Sequence, residues 1–254
     1  VWGLLHGPQL GRFDLRFELP SLCAESLENG SVDIGLVPVI EAFRQNLELA
    51  SDVCISSDGP VRSIFLVHRK PILQIRSVAL DSSSRTSVAL TRIVLAERYG
   101  LRPAEHRAAL DVIGMLETAD AALLIGDPAL RLQQDDSFQV LDLGSEWKLL
   151  TGLPMVYAVW AGKADMVPAG AEITFRESYE WGKMHLGEIV GTEAAKRGVA
   201  CDDALEYLSK HILYELDGPA RRGMFEFRRL AAIHGAIGPF HQGSVDLSKP
   251  SGIG

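Results

Sequence analysis

Cysteine is scarce in this chain of 254 residues. There are 3: Cys23, Cys54 and Cys201, odd in number and far apart. No C-x-x-C pair exists, so zinc ribbons and dithiol redox centres are excluded. Free thiols in a reducing cytoplasm are the simplest account, and a cytoplasmic location is expected. Positive charge is also in short supply. Lys and Arg number 25 against 33 Asp and Glu, a net charge of −8. A nucleic-acid or anionic-membrane surface needs clustered Lys and Arg, so neither partner is expected. A small anionic ligand stays compatible, because a local site can be positive in an acidic protein. No apolar run reaches membrane-spanning length, and no signal peptide is visible. The 7 histidines are scattered, with no H-E-x-x-H or similar spacing, so no metal site is expected.

What the chain does have is alternation of short apolar runs with helical stretches. Val1–His6 reads as the end of a helix stopped by Gly7-Pro8, so the chain is expected to begin after a first strand. Phe13, Leu15, Phe17 and Leu19 alternate with charged residues, which predicts a half-buried strand. Pro20 opens a helix and Asn29-Gly30 closes it. Val32–Pro38 is a strand, and a helix follows through Ile40, Phe43 and Arg44. That βαβα order predicts a parallel sheet. Asp52–Ser57 is extended, and Val61–Val67 is a strand containing Ser63. His106–Ala109, Ala121–Ile125, Phe138–Leu143 and Met155–Trp160 are further strands. Asp111–Glu117 and Ser145–Leu150 are short helices. From Pro168 the pattern predicts helices only, near 171–181, 185–197, 202–210 and 219–234. The four arginines of the last helix, Arg221, Arg222, Arg228 and Arg229, read as its solvated face. The tail from Gly243 reads as loosely ordered.

One stretch organises the rest, Ser77 to Leu90. Val78–Leu80 is a buried strand, Ser82, Ser83 and Ser84 offer cap side chains, and the helical pattern starts at Thr86. Unpaired N–H groups and a partial positive charge let a helix N-terminus hold anions. The hydroxyls with Arg85 therefore make either a carboxylate cradle or simply a heavily capped helix. Arg85 itself either reaches an anion, turns to solvent or braces Asp81. At Gly126-Asp127-Pro128 a strand ends and another helix begins, with Asp127 at the N-cap position and Pro128 at the first helical one. Strand ends at Pro38–Glu41, 81–87 and 126–127 converge on polar groups. The expected architecture is α/β, a two-lobed hinge-bending fold with C-terminal helices and the ligand between lobes. Lobe I is expected over 1–67, lobe II over 68–153, with 154–254 completing lobe I and adding the helices.

Six stretches carry a family resemblance: Trp2-Gly3-Leu4; Asp33–Pro38; Asp58-Gly59-Pro60-Val61-Arg62-Ser63; Ser83–Val88; Leu124–Leu130; and Asp142-Leu143-Gly144 through Trp147-Lys148 to Thr151–Pro154 and Ala158-Val159-Trp160. In this set and order the chain resembles the menaquinone-biosynthesis enzymes of periplasmic-binding-protein-like (type II) fold, and within them the chorismate dehydratases of the futalosine route. The resemblance implies a cofactor-independent hydro-lyase acting on chorismate, with neither metal nor organic cofactor. It gives Ser63 a catalytic hydrogen-bonding role, where the bland reading is an ordinary strand serine. Ser84, Arg85, Thr86 and Ser87 would bind a carboxylate, with Gly126, Asp127 and Pro38 also at the substrate. Asp127 is either a cap or a general acid. The family also uses an asparagine in a segment upstream of Val1. The sister synthase of 1,4-dihydroxy-6-naphthoate is the nearest alternative. It carries a histidine base where this chain has Gly126. A non-catalytic binding protein for carboxylates is the second alternative. The residues carry no reading of oligomeric state.

Overall fold

The structure, a computed structural model, describes residues 1–81, 84–108, 112–133 and 137–238. The expected cap serines Ser82 and Ser83, the helix start at Asp111 and the tail from Gly243 lie outside these residues. In chain order, α1 (Trp2–His6) and α2 (Pro20–Glu28) precede β1 (Ile34–Pro38), α3 (Val39–Arg44) and β2 (Glu48–Ser57). Next come β3 (Ile64–His68), β4 (Ser77–Asp81), α4 (Arg85–Tyr99), β5 (Ala104–Ala108) and α5 (Val112–Thr118). They are followed by β6 (Ala121–Ile125), α6 (Asp127–Leu130), β7 (Gln139–Asp142), α7 (Leu143–Thr151) and β8 (Met155–Gly162). The remainder is α8 (Ala171–Met184), α9 (Leu186–Glu193), α10 (Cys201–Glu206), β9 (Leu213–Glu215) and α11 (Gly218–Ile233).

The chain divides into two compact units. The first holds Val1–Ser56, Val156–His185 and the residues from Tyr214 onward; the second holds Ser57–Met155 and Leu186–Leu213. This division differs from the lobes expected from sequence at two places. Residues 57–67 join the second unit because β3 is laddered to both β6 and β7. Leu186–Leu213 joins it as well, tied there by side chains such as Tyr207 and by the Arg197 carbonyl, which accepts from Arg131.

The first unit is built on a sheet of order β1-β8-β2-β9. β1 runs antiparallel to β8, Ile34 opposite Gly162 and Pro38 opposite Ala158, so the parallel pairing expected for this part is corrected. Alternation of strand and helix sets which faces are apolar, but the partner and its direction are chosen by the distant residues 155–162. The alternation in 13–19 does not make a strand either. Phe13 and Leu15 turn onto the core of Leu4, Ala50, Ala171 and Phe175, and the Phe13 and Phe175 rings stack at 5.2 Å. Phe17 and Leu19 are 69% and 59% exposed, and no ladder partner lies beside them among the described residues. A period of two orients side chains, whereas a strand also needs a neighbouring edge. β9 is a strand inside the region expected to be all helix. Arg228 is not on the solvated face of α11: its guanidinium lies 5.2 Å over the Phe43 ring, and burial lowers its pKa.

The second unit carries a five-stranded sheet of order β5-β4-β6-β3-β7. β4 is parallel to β5 and β6, while β3 is antiparallel to β6 and β7. Val67, Ala79, Ala122 and Leu124 of the sheet pack with Met115, Leu116 and Ala129. Trp147 is fully buried on α7 and donates from its indole nitrogen to the Pro154 carbonyl at 3.1 Å, satisfying a buried donor. Among the described residues, no helix is long and apolar enough to cross a membrane.

Candidate functional site

The strand directions in the second unit decide where its loops meet. Because β4 and β6 are parallel, both end at the same edge of the sheet. Because β3 is antiparallel to β6, with Ile64 opposite Ile125, the residue before β3 and the residue after β6 are neighbours. These are Ser63 and Gly126, and the Gly126 N–H donates to the Ser63 carbonyl at 2.8 Å. The end of β7 arrives at that edge too, with Asp142 opposite Phe65. One sheet edge thus gathers the 59–63 loop, the start of α4, the 126–127 turn and Asp142.

Ser63 is not within a strand, as the sequence suggested, but in the turn immediately before β3. The turn is held by carboxylate and phenol rather than by ladder bonds. Asp142 accepts from the N–H of Val61 at 3.1 Å and from that of Arg62 at 2.7 Å. The same carboxylate caps α7 through the Ser145 N–H at 2.9 Å. Arg62 adopts φ 60°, the left-handed region, which the grip on its N–H sustains. His211 bonds through Nδ1 to the Pro60 carbonyl at 3.1 Å. The Ser63 side chain is buried, 5% exposed, and accepts from the Tyr207 hydroxyl at 3.0 Å. Burial raises the Tyr207 pKa above the usual phenol value; the bond to Ser63 opposes this, and the Asp127 charge adds to it. The phenol is therefore a hydrogen-bond donor at neutral pH.

Ser84 is the N-cap of α4, in an extended conformation, and its Oγ accepts from the Ser87 N–H at a long 3.5 Å. The Ser84 and Ser87 hydroxyls lie 2.9 Å apart, and Thr86 and Ser87 are both 1% exposed. The helix start is thus lined by hydroxyls, of which that of Ser84 also caps it, so the cap reading holds for Ser84. Arg85 is the first helical residue and half-buried.

At the 126–127 turn the expected cap is corrected. Gly126, not Asp127, is the N-cap of α6, so the cap has no side-chain bond, and Asp127 is the first helical residue. Gly126 has φ 68° and ψ −143°, a region almost confined to glycine. That conformation moves the helix start one residue earlier than the Asp-Pro pair suggested. The Asp127 carboxylate is 40% exposed and lies 3.6 Å from Arg197. Pro38 lies in the first unit, buried, as the last residue of β1 and the N-cap of α3.

Tyr207 escaped the sequence reading, and Asp142 entered it only as part of a family stretch, with no role of its own. Asp142-Leu143-Gly144-Ser145 carries a cap signal, an acidic residue three before the N–H it accepts, but its second task on the 61–62 backbone is long-range. Tyr207 sits 144 residues from Ser63. It begins a five-residue π-helical turn, Tyr207–His211, in which the Ile212 N–H reaches back to the Tyr207 carbonyl at 3.1 Å. Wide turns of this kind occur often at functional sites. Among the described residues, no three His, Cys, Asp or Glu side chains gather as metal ligands.

The two sheets and their crossing connections define the class: a periplasmic-binding-protein-like α/β fold. Solved structures agree. Protein AF1704 from Archaeoglobus fulgidus matches with a TM-score of 0.71 and 17% identity, over 92% of this chain and 93% of that one. The periplasmic aliphatic sulphonate binding protein SsuA from Escherichia coli matches with a TM-score of 0.60 and 17% identity, over 90% of this chain and 78% of its own. More particularly, residues 1–233 match the menaquinone biosynthesis family, and the chain belongs to it. A curated relative, the chorismate dehydratase of Thermus thermophilus, is 29% identical over 88% of this chain and 89% of its own length.

Proposed function

We propose that this chain is a chorismate dehydratase, converting chorismate to 3-[(1-carboxyvinyl)oxy]benzoate. The observation that carries the reading is the Ser63 turn. A buried serine of the Asp58–Ser63 motif is held by Tyr207 and Gly126 at the sheet edge where the hydroxyl-rich α4 start also ends up. The relative of like activity, matching along nearly the whole chain, supports it.

The reaction is a 1,2-elimination. A ring C–H bond breaks, its electron pair forms the new ring double bond, and the neighbouring hydroxyl leaves; proton and hydroxide depart as water. Aromatisation supplies the driving force, so the protein's task is to hold the ring and help the hydroxyl depart. Ser63 donates its hydrogen bond to the leaving hydroxyl, because Tyr207 already donates to the serine oxygen and leaves the serine proton available. Ser84, Arg85, Thr86 and Ser87 receive a substrate carboxylate at the helix start. Gly126 and Asp127 border the ring. The substrate's own enolpyruvyl carboxylate takes the ring proton and passes it to the departing hydroxide, giving water, so no strong protein base is required. No cofactor takes part.

Gly126 also bears on the sister synthase reading. A histidine base there would need a β-carbon on a backbone of φ 68° and ψ −143°, which side-chain-bearing residues rarely adopt. The test is to incubate the full-length natural protein with chorismate and analyse products by chromatography and mass spectrometry. Loss of one water, abolished by Ser63→Ala in a folded variant, is the expected result. Near wild-type turnover by Ser63→Ala removes the serine from the mechanism. Unchanged chorismate overturns the reading and favours the synthase or a carboxylate-binding protein.

A further inference from the structure

We propose that Tyr207 is a positioning residue for Ser63, orienting the serine hydroxyl toward the leaving group of the dehydration. The inference rests on the chorismate reading and adds to it a residue outside the motifs that suggested it.

The geometry is directional. The Tyr207 hydroxyl donates to Ser63 Oγ at 3.0 Å. An oxygen that accepts from one side keeps its own proton on another, so the bond selects the serine rotamer and the direction of its O–H. Ser63 is 5% exposed, and bulk water does not compete freely for its lone pairs. The backbone on either side of Ser63 Oγ is fixed separately, by Asp142 on the 61–62 amides and by the Gly126 N–H on the Ser63 carbonyl. Tyr207 therefore governs the one freedom left, rotation of the side chain. The π-helical turn serves this arrangement, because it seats Tyr207 against Ser63 and His211 against Pro60 from the same five residues.

A second phenol in the same unit provides the control. Tyr99 donates to the Glu146 carboxylate at 2.7 Å, a charge-assisted bond in which Ser63 has no part. Tyr207→Phe keeps the ring and deletes only the hydroxyl. Its kcat for chorismate is expected to fall roughly tenfold to a hundredfold, the scale of a misdirected reacting group, with KM within about twofold. Tyr99→Phe is expected to leave kcat within about twofold whatever thermal stability it loses. Should Tyr207→Phe fail to fold, Tyr207→Met removes the same hydroxyl with a side chain that adapts to the space. If both folded hydroxyl-free variants and Tyr99→Phe lower kcat in proportion to their lost stability, Tyr207 is structural only and the proposal is overturned. It is equally overturned by a folded variant with wild-type kcat. Wild-type protein that leaves chorismate unchanged overturns the functional reading, and this proposal with it.

Discussion

Asp142 is the residue on which the Ser63 turn depends most, and Asp142→Ala measures by how much. Its carboxylate oxygens divide the work. Oδ1 accepts from Val61 and from Ser145, and Oδ2 accepts from Arg62. The bond to Ser145 is a helix cap, worth about 1 kcal/mol. The two loop bonds are charge-assisted, which in a dry setting gives about 1.5–3 kcal/mol each. Asp142 is half-buried and Arg62 exposed, so about 1 kcal/mol each is the appropriate share here. Asp142→Ala should therefore lose about 3 kcal/mol, moving the urea midpoint down by about 1–1.5 M for an m-value near 2–3 kcal/mol/M. Asp142→Asn discriminates further. Its amide oxygen can take the Oδ1 place and keep the Val61 and Ser145 bonds, while its NH2 faces the Arg62 N–H, donor against donor. It should lose about half as much. In both variants kcat for chorismate should fall more than stability alone explains, because the turn carries Ser63. An alanine variant within about 0.5 kcal/mol of wild type, or an asparagine variant worse than alanine, refutes the argument.

Gly126→Ala should cost about 1–3 kcal/mol although a β-carbon there meets no atom of the described residues within 4 Å. The penalty is backbone conformation alone, and a urea midpoint unchanged within error would contradict it. The buried Cys54 thiol is pushed up to about 12, chiefly by desolvation. The neutral thiol is thus favoured in the folded state. That contribution is whole below pH 9 and is lost as pH rises toward 12, at up to about 1.4 kcal/mol per pH unit. Cys54→Ala should flatten the alkaline fall of stability, read as urea midpoints between pH 8 and 11; an identical slope in the variant removes Cys54 as its source.

The legible parts of this fold are those decided within about ten residues. Pro20 and Asn29 bound α2, and Ala121–Ile125 forms β6, because capping, proline geometry and apolar density act locally. Pairing is different. The direction of β1 is chosen by Val156–Gly162, more than a hundred residues away, so βαβα order alone misled. Residues 13–19 make the same point, since half of a regular alternation packs and the other half stays exposed.

The site divides along the same line. The Ser84–Ser87 helix start and Gly126 are legible at strand and helix ends from the chain alone, Ser63 only as a residue within a strand, and the β4/β6/β3 directions bring all three to one edge. What could not be read is how the turn is held. Asp142, Tyr207 and His211 reach it from residues 80 to 151 positions distant, each by a side chain that the local pattern assigns to a helix cap or a helix face. A serine in a loop is a weak hydrogen-bond donor with many rotamers. Three long-range anchors give it a single direction, and the proposed dehydration, which works by positioning, would need that direction more than a strong base.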